Sequence, residues 1–343
     1  MTKAGETILV TGASSYIGAH VLEAFLEAGY NIRGAVRSQT SADRVLKSHA
    51  RYANQLTFVI VEVIEKPGAF DEAVQGVDGV IHMQSPFRIE VEDNEKDLLI
   101  PAINGTLGIL ESIQNHNPSV KRVVITSSFA SILDLSKGLW PEHTYTEQDW
   151  NPATYEEAKA ADGAFAYCAS KALAEKAAWN FVAERKPNFT LSTICPPIVY
   201  GPNHHYIDDL SRLNESSGMF YSLMNGSREE VPPTGFWAIV DVRDVAIAHK
   251  LAYEKLEAAG QRYFTTTGNF SFQQICHILR NELPELGSRV PEGDENVKLP
   301  PVYKVDNSKT KRELGINFTP LKDIVVDAAL NFLEIEKKQR RAS

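Results

Sequence analysis

The chain has 343 residues, a formal net charge of −9 and 43% hydrophobic residues, a composition close to that of an average soluble protein. At about 150 residues per domain there is room for about two domains, and disorder and collagen-like structure are excluded. The acidic balance argues against a nucleic-acid binder, because phosphate-backbone contacts need a basic surface; any nucleotide has to be gripped locally.

Three cysteines, Cys168, Cys195 and Cys276, supply neither a disulfide framework nor a closely spaced ligand pair, which fits a reducing compartment. The nine histidines show no zinc spacing, so no metal is expected, and His204-His205 in a polar loop reads as solvated surface. A glycine turn arrives before any apolar stretch of signal-peptide length, and no window approaches about 18 uncharged apolar residues. A cytoplasmic protein without membrane contact is expected.

Thr7 to Val10 is a short β-branched strand, followed by the turn TGASSYIG and a helix with Val21, Leu22, Phe25 and Leu26 at helical spacing. NIRGAVR then reads as a second strand, SADRVLKSHARYA as a helix, LTFVIVEVI as a third strand, AFDEAVQ as a short helix and GVDGVIHM as a fourth strand. Further on, DLLIPAINGTLGILESIQNH is a long helix, RVVITSS a fifth strand, AFAYCASKALAEKAAWNFVAERK another helix and FTLSTIC a sixth strand. This alternation predicts right-handed crossovers and an α/β fold, a Rossmann-type doubly wound parallel sheet. Beyond Pro196 the texture turns to loops with Pro and aromatics, which predicts a smaller C-terminal substrate-binding cap. The nucleotide-binding domain is expected over 1–193 plus roughly 236–265, the cap over 194–235 plus roughly 266–335, and 336–343 as a frayed, charged tail.

The turn TGASSYIG follows a strand and opens a helix, the context in which a glycine pattern signals a dinucleotide rather than a plain helix cap. Gly12 suits the tight turn and Gly18 close helix-to-strand packing, with the amides over Ser14, Ser15, Tyr16 and Ile17 turned to a pyrophosphate. The second strand ends in Val36-Arg37-Ser38, where an NAD enzyme usually places a carboxylate for the ribose hydroxyl. A guanidinium there favours the 2′-phosphate of NADP, with Arg33 or Arg44 as candidates for a second contact.

Reducing a carbonyl by hydride transfer needs a proton donor at the oxygen, and a tyrosine serves when a cation steadies its phenolate. Two Tyr/Lys pairs have the one-turn spacing that places both side chains on one helix face, Tyr155/Lys159 and Tyr167/Lys171. Glu156 and Glu157 oppose phenolate formation at Tyr155. Tyr167, flanked by the small residues Cys168, Ala169 and Ser170, is therefore the expected donor. The fifth strand ends in Thr126, Ser127 and Ser128, where a hydroxyl meets either a substrate carbonyl or only its own turn.

With TGASSYIG, Arg37, ITSSFAS and YCASK in this order, the chain resembles the extended short-chain dehydrogenase/reductases over nearly its whole length. Through DLLIPAINGTLGIL, DWNPATYE, AYCASKALAEKAAW and DVRDVAIAH it is most similar to the dihydroflavonol-reductase and cinnamoyl-CoA-reductase branch, and within it to the fungal NADPH-dependent methylglyoxal/isovaleraldehyde reductases. The resemblance implies an NADPH-dependent reductase of aldehydes and ketones, monomeric or homodimeric. Tyr167 would donate the proton, Lys171 would lower its pKa and bind the nicotinamide ribose, Ser128 would orient the carbonyl and Asn104 would support the lysine through water. Arg37 would hold the 2′-phosphate, and Ile64, Ser85, Pro196, Ile198, Val199 and Ser216 would line the cofactor. Three departures stand out: Ser15 replaces the middle glycine and is expected to crowd the pyrophosphate, Val63 replaces the aspartate that meets adenine, and Ser41 replaces a second basic residue. Phe87, Phe129, Tyr200, Phe236 and Trp237 are expected to form an apolar pocket for an uncharged carbonyl compound, unless they only pack the core. A nucleotide-sugar epimerase or dehydratase of the same fold and a non-catalytic NADP-binding redox sensor are the alternatives.

Overall fold

The computed structural model describes residues 5–85, 91–294 and 298–342. In chain order the nucleotide-binding half runs β1 (Thr7–Thr11), α1 (Tyr16–Glu27), β2 (Asn31–Val36), α2 (Gln39–Ser48), β3 (Leu56–Ile60), β4 (Gly79–His82), α3 (Ile100–His116), β5 (Arg122–Thr126), β6 (Thr144–Tyr145), α4 (Tyr155–Ala160), α5 (Gly163–Arg185) and β7 (Thr190–Cys195). The remainder is β8 (Ile198–Tyr200), α6 (Glu215–Ser222), β9 (Ala238–Asp241), α7 (Val242–Glu254), β10 (Arg262–Phe264), β11 (Gly268–Asn269), α8 (Phe272–Glu282), β12 (Lys304–Val305), α9 (Ser308–Leu314) and α10 (Leu321–Ala342).

Seven parallel strands form the main sheet in the order β3-β2-β1-β4-β5-β7-β10. Ile8, Leu9 and Val10 of the central strand are wholly buried, as expected where helices cover both faces. One face carries α1 and α7, with Val21, Leu22, Phe25 and Tyr253 in a single apolar cluster. The other carries α3 and α5, with Ile109, Leu110, Ile113 and Phe181. Chain direction switches between β1 and β4, so the crevice for a ligand opens at the carboxyl ends of these strands. The cap has its own core, built from Phe220, Phe270, Ile275, Leu279, Val325 and Phe332.

Four expectations are corrected. The sheet has a seventh strand, β10, too short to show a period. The chain's return to the nucleotide-binding half is made by α7 and β10, whereas β9 pairs with β8 and β11 in a separate small sheet. Residues 69–75 form successive turns rather than a helix, bounded by Gly68 and Gly76, both with positive φ. The tail expected to fray from 336 continues as the end of α10, because Glu336 is buried and accepts from Tyr221 Oη at 2.9 Å while pairing with Arg289. Among the described residues no helix is long and apolar enough to cross a membrane.

Candidate active site

The turn after β1 needs its glycines. Gly12 has φ +69°, and a Cβ on Gly18 would stand 2.3 Å from the Gly12 carbonyl oxygen, so both positions exclude larger residues. Ser14 and Ser15 are exposed, whereas Tyr16 is buried and donates from Oη to the Gly201 carbonyl at 3.0 Å. Ile17, half-buried, packs onto the core behind the turn. Ser15 is the N-cap of α1, its Oγ accepting from the Gly18 amide at 3.0 Å. The hydroxyl of Ser15 therefore folds back onto the helix and takes up one amide of its first turn.

Arg37 follows β2, exposed and without an acidic partner among the described residues. Ser38 caps α2 and shares a 3.1 Å contact with Ser41. Arg33 leaves the set of phosphate candidates, because its guanidinium donates to the carbonyls of Ala73, at 3.2 Å, and Gln75. Arg44 pairs with Asp208 at 2.7 Å and so ties α2 to the loop that enters the cap. Nearby, His204 stacks on His20 at 4.1 Å and reaches Glu23 at 2.7 Å, while His205 packs half-buried against Tyr16. His204 is exposed, as expected, and His205 is not; together they clasp that loop to α1. Val63 is 48% exposed, and Ile64 is buried against α3, where a Cβ on Gly105 would come within 3.0 Å of it.

Asp162 caps α5, accepting from the Phe165 amide at 2.9 Å. One turn in, Tyr167 is hydrogen-bonded to the Ser128 side chain. Ser128 opens the turn after β5 and accepts from the Ala130 amide at 3.1 Å. One turn further, Lys171 Nζ donates to Ser85 Oγ at 2.6 Å and lies 5.4 Å from the centre of the Tyr167 ring. Serine, tyrosine and lysine from two elements, the turn after β5 and α5, therefore meet at the crevice. Burial, aided by Cys168, raises the Tyr167 pKa, and the Ser128 hydrogen bond opposes it. Burial also lowers the Lys171 pKa to about 8. The Ser128 hydrogen bond favours the phenolate, and the Lys171 amine donates to Ser85. Asn104 is exposed on α3, with no direct hydrogen bond to Lys171 among the described residues.

The other tyrosine–lysine pair is spent elsewhere. Tyr155 Oη donates to Glu95 at 3.1 Å and Lys159 pairs with the same carboxylate at 2.7 Å.

On the cap side, Pro196 is buried and its carbonyl accepts from the Phe129 amide at 2.8 Å. Ile198 and Val199 lie in β8, and Ser216, in α6, accepts from Asn214 Nδ2 at 2.9 Å. The expected aromatic pocket is largely corrected. Phe129 is 1% exposed and stacked on Phe264, and Tyr200 is 3% exposed among Phe220 and Phe270. Both are core, because large aromatics at a domain junction gain more from burial than from facing a ligand. Phe236 and Trp237 are half-buried and keep surface free; Phe87 lies outside the described residues.

Sequence reasoning missed a buried polar cluster beneath Ser128, in which Glu175 and Arg262 pair at 2.8 Å. The only signal was a glutamate one turn after Lys171 on an otherwise Ala-rich helix face.

Residues 8–264 match the NAD dependent epimerase/dehydratase family. The chain is 42% identical to a putative uncharacterized oxidoreductase of Schizosaccharomyces pombe, covering 96% of this chain and 98% of that one. It is 39% identical to the ketoreductase azaE of Aspergillus niger, with 97% and 99% covered. Among solved structures, that of the yeast methylglyoxal/isovaleraldehyde reductase Gre2 complexed with NADPH superposes with a TM-score of 0.89 at 35% identity, covering 96% of this chain and 99% of that one. Sheet order, glycine turn and chain-long similarity converge: the chain belongs to the NAD dependent epimerase/dehydratase family, as an extended short-chain dehydrogenase/reductase similar to the fungal methylglyoxal reductases.

Proposed function

We propose that the protein is an NADPH-dependent reductase that converts aldehydes and ketones to alcohols. The observation that carries this reading is the meeting of Ser128, Tyr167 and Lys171 at the carboxyl edge of the sheet, beside the glycine turn. The residues fit a dinucleotide: Gly12 and Gly18 allow the tight turn and close packing, and Arg37 offers a guanidinium, without an acidic partner among the described residues, where a 2′-phosphate belongs. Relatives named as reductases of methylglyoxal and as a ketoreductase support the same class.

NADPH, when bound, supplies the hydride. The chain's own part is proton delivery and placement. Tyr167 Oη gives its proton to the carbonyl oxygen as negative charge develops there, and Ser128 Oγ, already bonded to that hydroxyl, orients the same oxygen. Lys171 holds positive charge one turn away, where it stabilises the phenolate left behind and can meet the nicotinamide ribose. Phe236 and Trp237 offer an apolar wall, which suits an uncharged substrate.

The test follows absorbance at 340 nm with isovaleraldehyde, methylglyoxal and a small ketone panel, run with NADPH and with NADH. NADPH oxidation is expected, reduced about 10²- to 10⁴-fold in Tyr167→Phe. Arg37→Ser is expected to raise the NADPH KM about tenfold to a hundredfold and leave NADH unchanged, the value of a charge-assisted phosphate contact. NADPH binding without turnover on any substrate would overturn the reductase reading in favour of a sensor.

A further inference from the structure

Helix α5 carries three functional-looking side chains at four-residue steps, Tyr167, Lys171 and Glu175. The first two reach the crevice. The third turns under its floor and is 2% exposed. Its Oε1 accepts from Thr193 Oγ1 at 2.7 Å, Arg262 Nε at 2.8 Å and Trp179 Nε1 at 3.2 Å. Its Oε2 accepts from Ser127 Oγ at 2.5 Å, Ser131 Oγ at 2.6 Å and Arg262 Nη2 at 3.1 Å. One carboxylate thus gathers α5, β7, β10 and the turn after β5.

That turn is where Ser128 sits, between two of the hydroxyls that contact Glu175. Ser131 Oγ also lies 2.6 Å from the Ser128 carbonyl oxygen. Arg262 completes the frame: Nη1 donates to the carbonyls of Glu147 and Asp149, Nη2 to that of Ser131, and the guanidinium stacks on Trp150 at 3.7 Å. A buried ion pair is poor evidence for stability, since apolar residues of like volume often do as well or better. What such a pair does supply is a fixed geometry with every donor committed. Placement within about 0.5 Å is what a proton-transfer site demands. The guanidinium also balances the carboxylate, so the buried pair carries no net charge.

We propose that Glu175, with Arg262, is a positioning residue that fixes the Ser127–Ser131 turn and through it the hydroxyl of Ser128 against Tyr167. This rests on the assignment of Ser128 and Tyr167 to proton transfer.

The test is a double-mutant cycle of Glu175→Gln and Ser128→Ala, with NADPH and isovaleraldehyde. Glu175→Gln is expected to lower kcat about tenfold to a hundredfold while the NADPH Kd, read by fluorescence, changes less than about threefold. Because both act through one hydroxyl, adding Glu175→Gln to Ser128→Ala is expected to cost no more than about a further twofold. In the reverse direction, alcohol oxidation by NADP, the pH at which the rate reaches half its maximum is expected to rise in Glu175→Gln, as in Ser128→Ala. A residue that merely stabilises the fold would lower the active fraction and leave that pH in place. If Glu175→Gln does not fold, Ser127→Ala keeps the ion pair and removes one strut beside Ser128. It is expected to lower kcat about threefold to tenfold with the same non-additivity. Full multiplication of the two effects, or an unmoved pH profile, overturns the inference. Retained turnover in Tyr167→Phe would instead overturn the assignment on which it rests.

Discussion

Two tyrosine–lysine pairs lie twelve residues apart with identical spacing, Tyr155/Lys159 on α4 and Tyr167/Lys171 on α5. The first pair converges on a carboxylate. Glu95 takes both side chains, raising the Lys159 pKa and adding to the rise at Tyr155, so each proton is held more tightly. The second pair faces hydroxyls. Ser128 bonds the Tyr167 side chain and favours its phenolate, and Ser85 receives the Lys171 amine, whose pKa burial lowers to about 8. Spacing alone makes two candidate donors, and the groups opposite decide which one can release a proton. Between the two pairs α4 ends and Asp162 caps the start of α5, a break that gives each pair its own surroundings.

The largest expected effects lie in the α5 pair. Beside the loss in Tyr167→Phe, Lys171→Met is expected to lower kcat/KM about a hundredfold, the scale of losing one electrostatic partner of the transition state. Its pH dependence sharpens the contrast. With a pKa of about 8 the amine loses its charge as pH rises through that value, whereas Lys159 keeps its own. So kcat/KM for NADPH, which reports the free enzyme, is expected to fall above pH about 8, and Lys171→Arg is expected to flatten that limb. An unchanged limb in the arginine variant would assign it to another group.

Burial acts on histidines as it does on Lys171, which gives a smaller and global effect. Burial lowers His20 and His82 to about 3 and His205 and His249 to about 4, with His204 adding to the shift at His20 and His205. Below pH about 6.5 the unfolded chain binds protons that these folded histidines refuse. Stability is therefore full above that pH and is lost as pH falls toward 4, by up to about 1.4 kcal/mol per pH unit for each of the fully buried His82 and His249. Asp244, raised to about 6 by burial, opposes this with one group. Urea unfolding at pH 7 and pH 5 should show the lower midpoint at pH 5; equal midpoints would mean that the histidines are protonated in the folded state.

Much of this was legible in the chain. The alternation of strands and helices gave six of the seven main strands, and the glycine turn was recognisable because Gly12 and Gly18 answer to local geometry. Tyr167 could be chosen over Tyr155 because the opposing charges, Glu156 and Glu157, were neighbours in sequence; the decisive one, Glu95, was not. What stayed hidden depends on contacts between distant segments. Phe129 and Tyr200 look like pocket walls until Phe264, Phe220 and Phe270 fold against them. Strand β10 has three residues and no period, and it joins the sheet only because β7 offers an edge. Glu175 reads as a surface charge until Arg262, 87 residues on, is brought beneath α5. Arg33 and Arg37 differ by four positions, yet one faces the turn at Ala73 and the other the open edge.

The smallest expected effect is the sharpest check on the comparison. Tyr155→Phe removes one hydrogen bond to Glu95 and leaves the Lys159 pair in place. Exposed pairs of this kind contribute little, because water competes for both partners and long side chains lose freedom in holding one geometry. Glu95 leads into α3 and Tyr155 opens α4, so the contact clips two helices together. Turnover is expected to stay within about twofold of the parent and Tm within about 2 °C. A drop in kcat comparable to that of Tyr167→Phe, with Tm unchanged, would show that the surroundings had been misjudged and that α4, not α5, presents the donor. Adding Lys159→Ala should leave the result where it was, since a pair committed to a surface carboxylate has no charge to lend to the crevice.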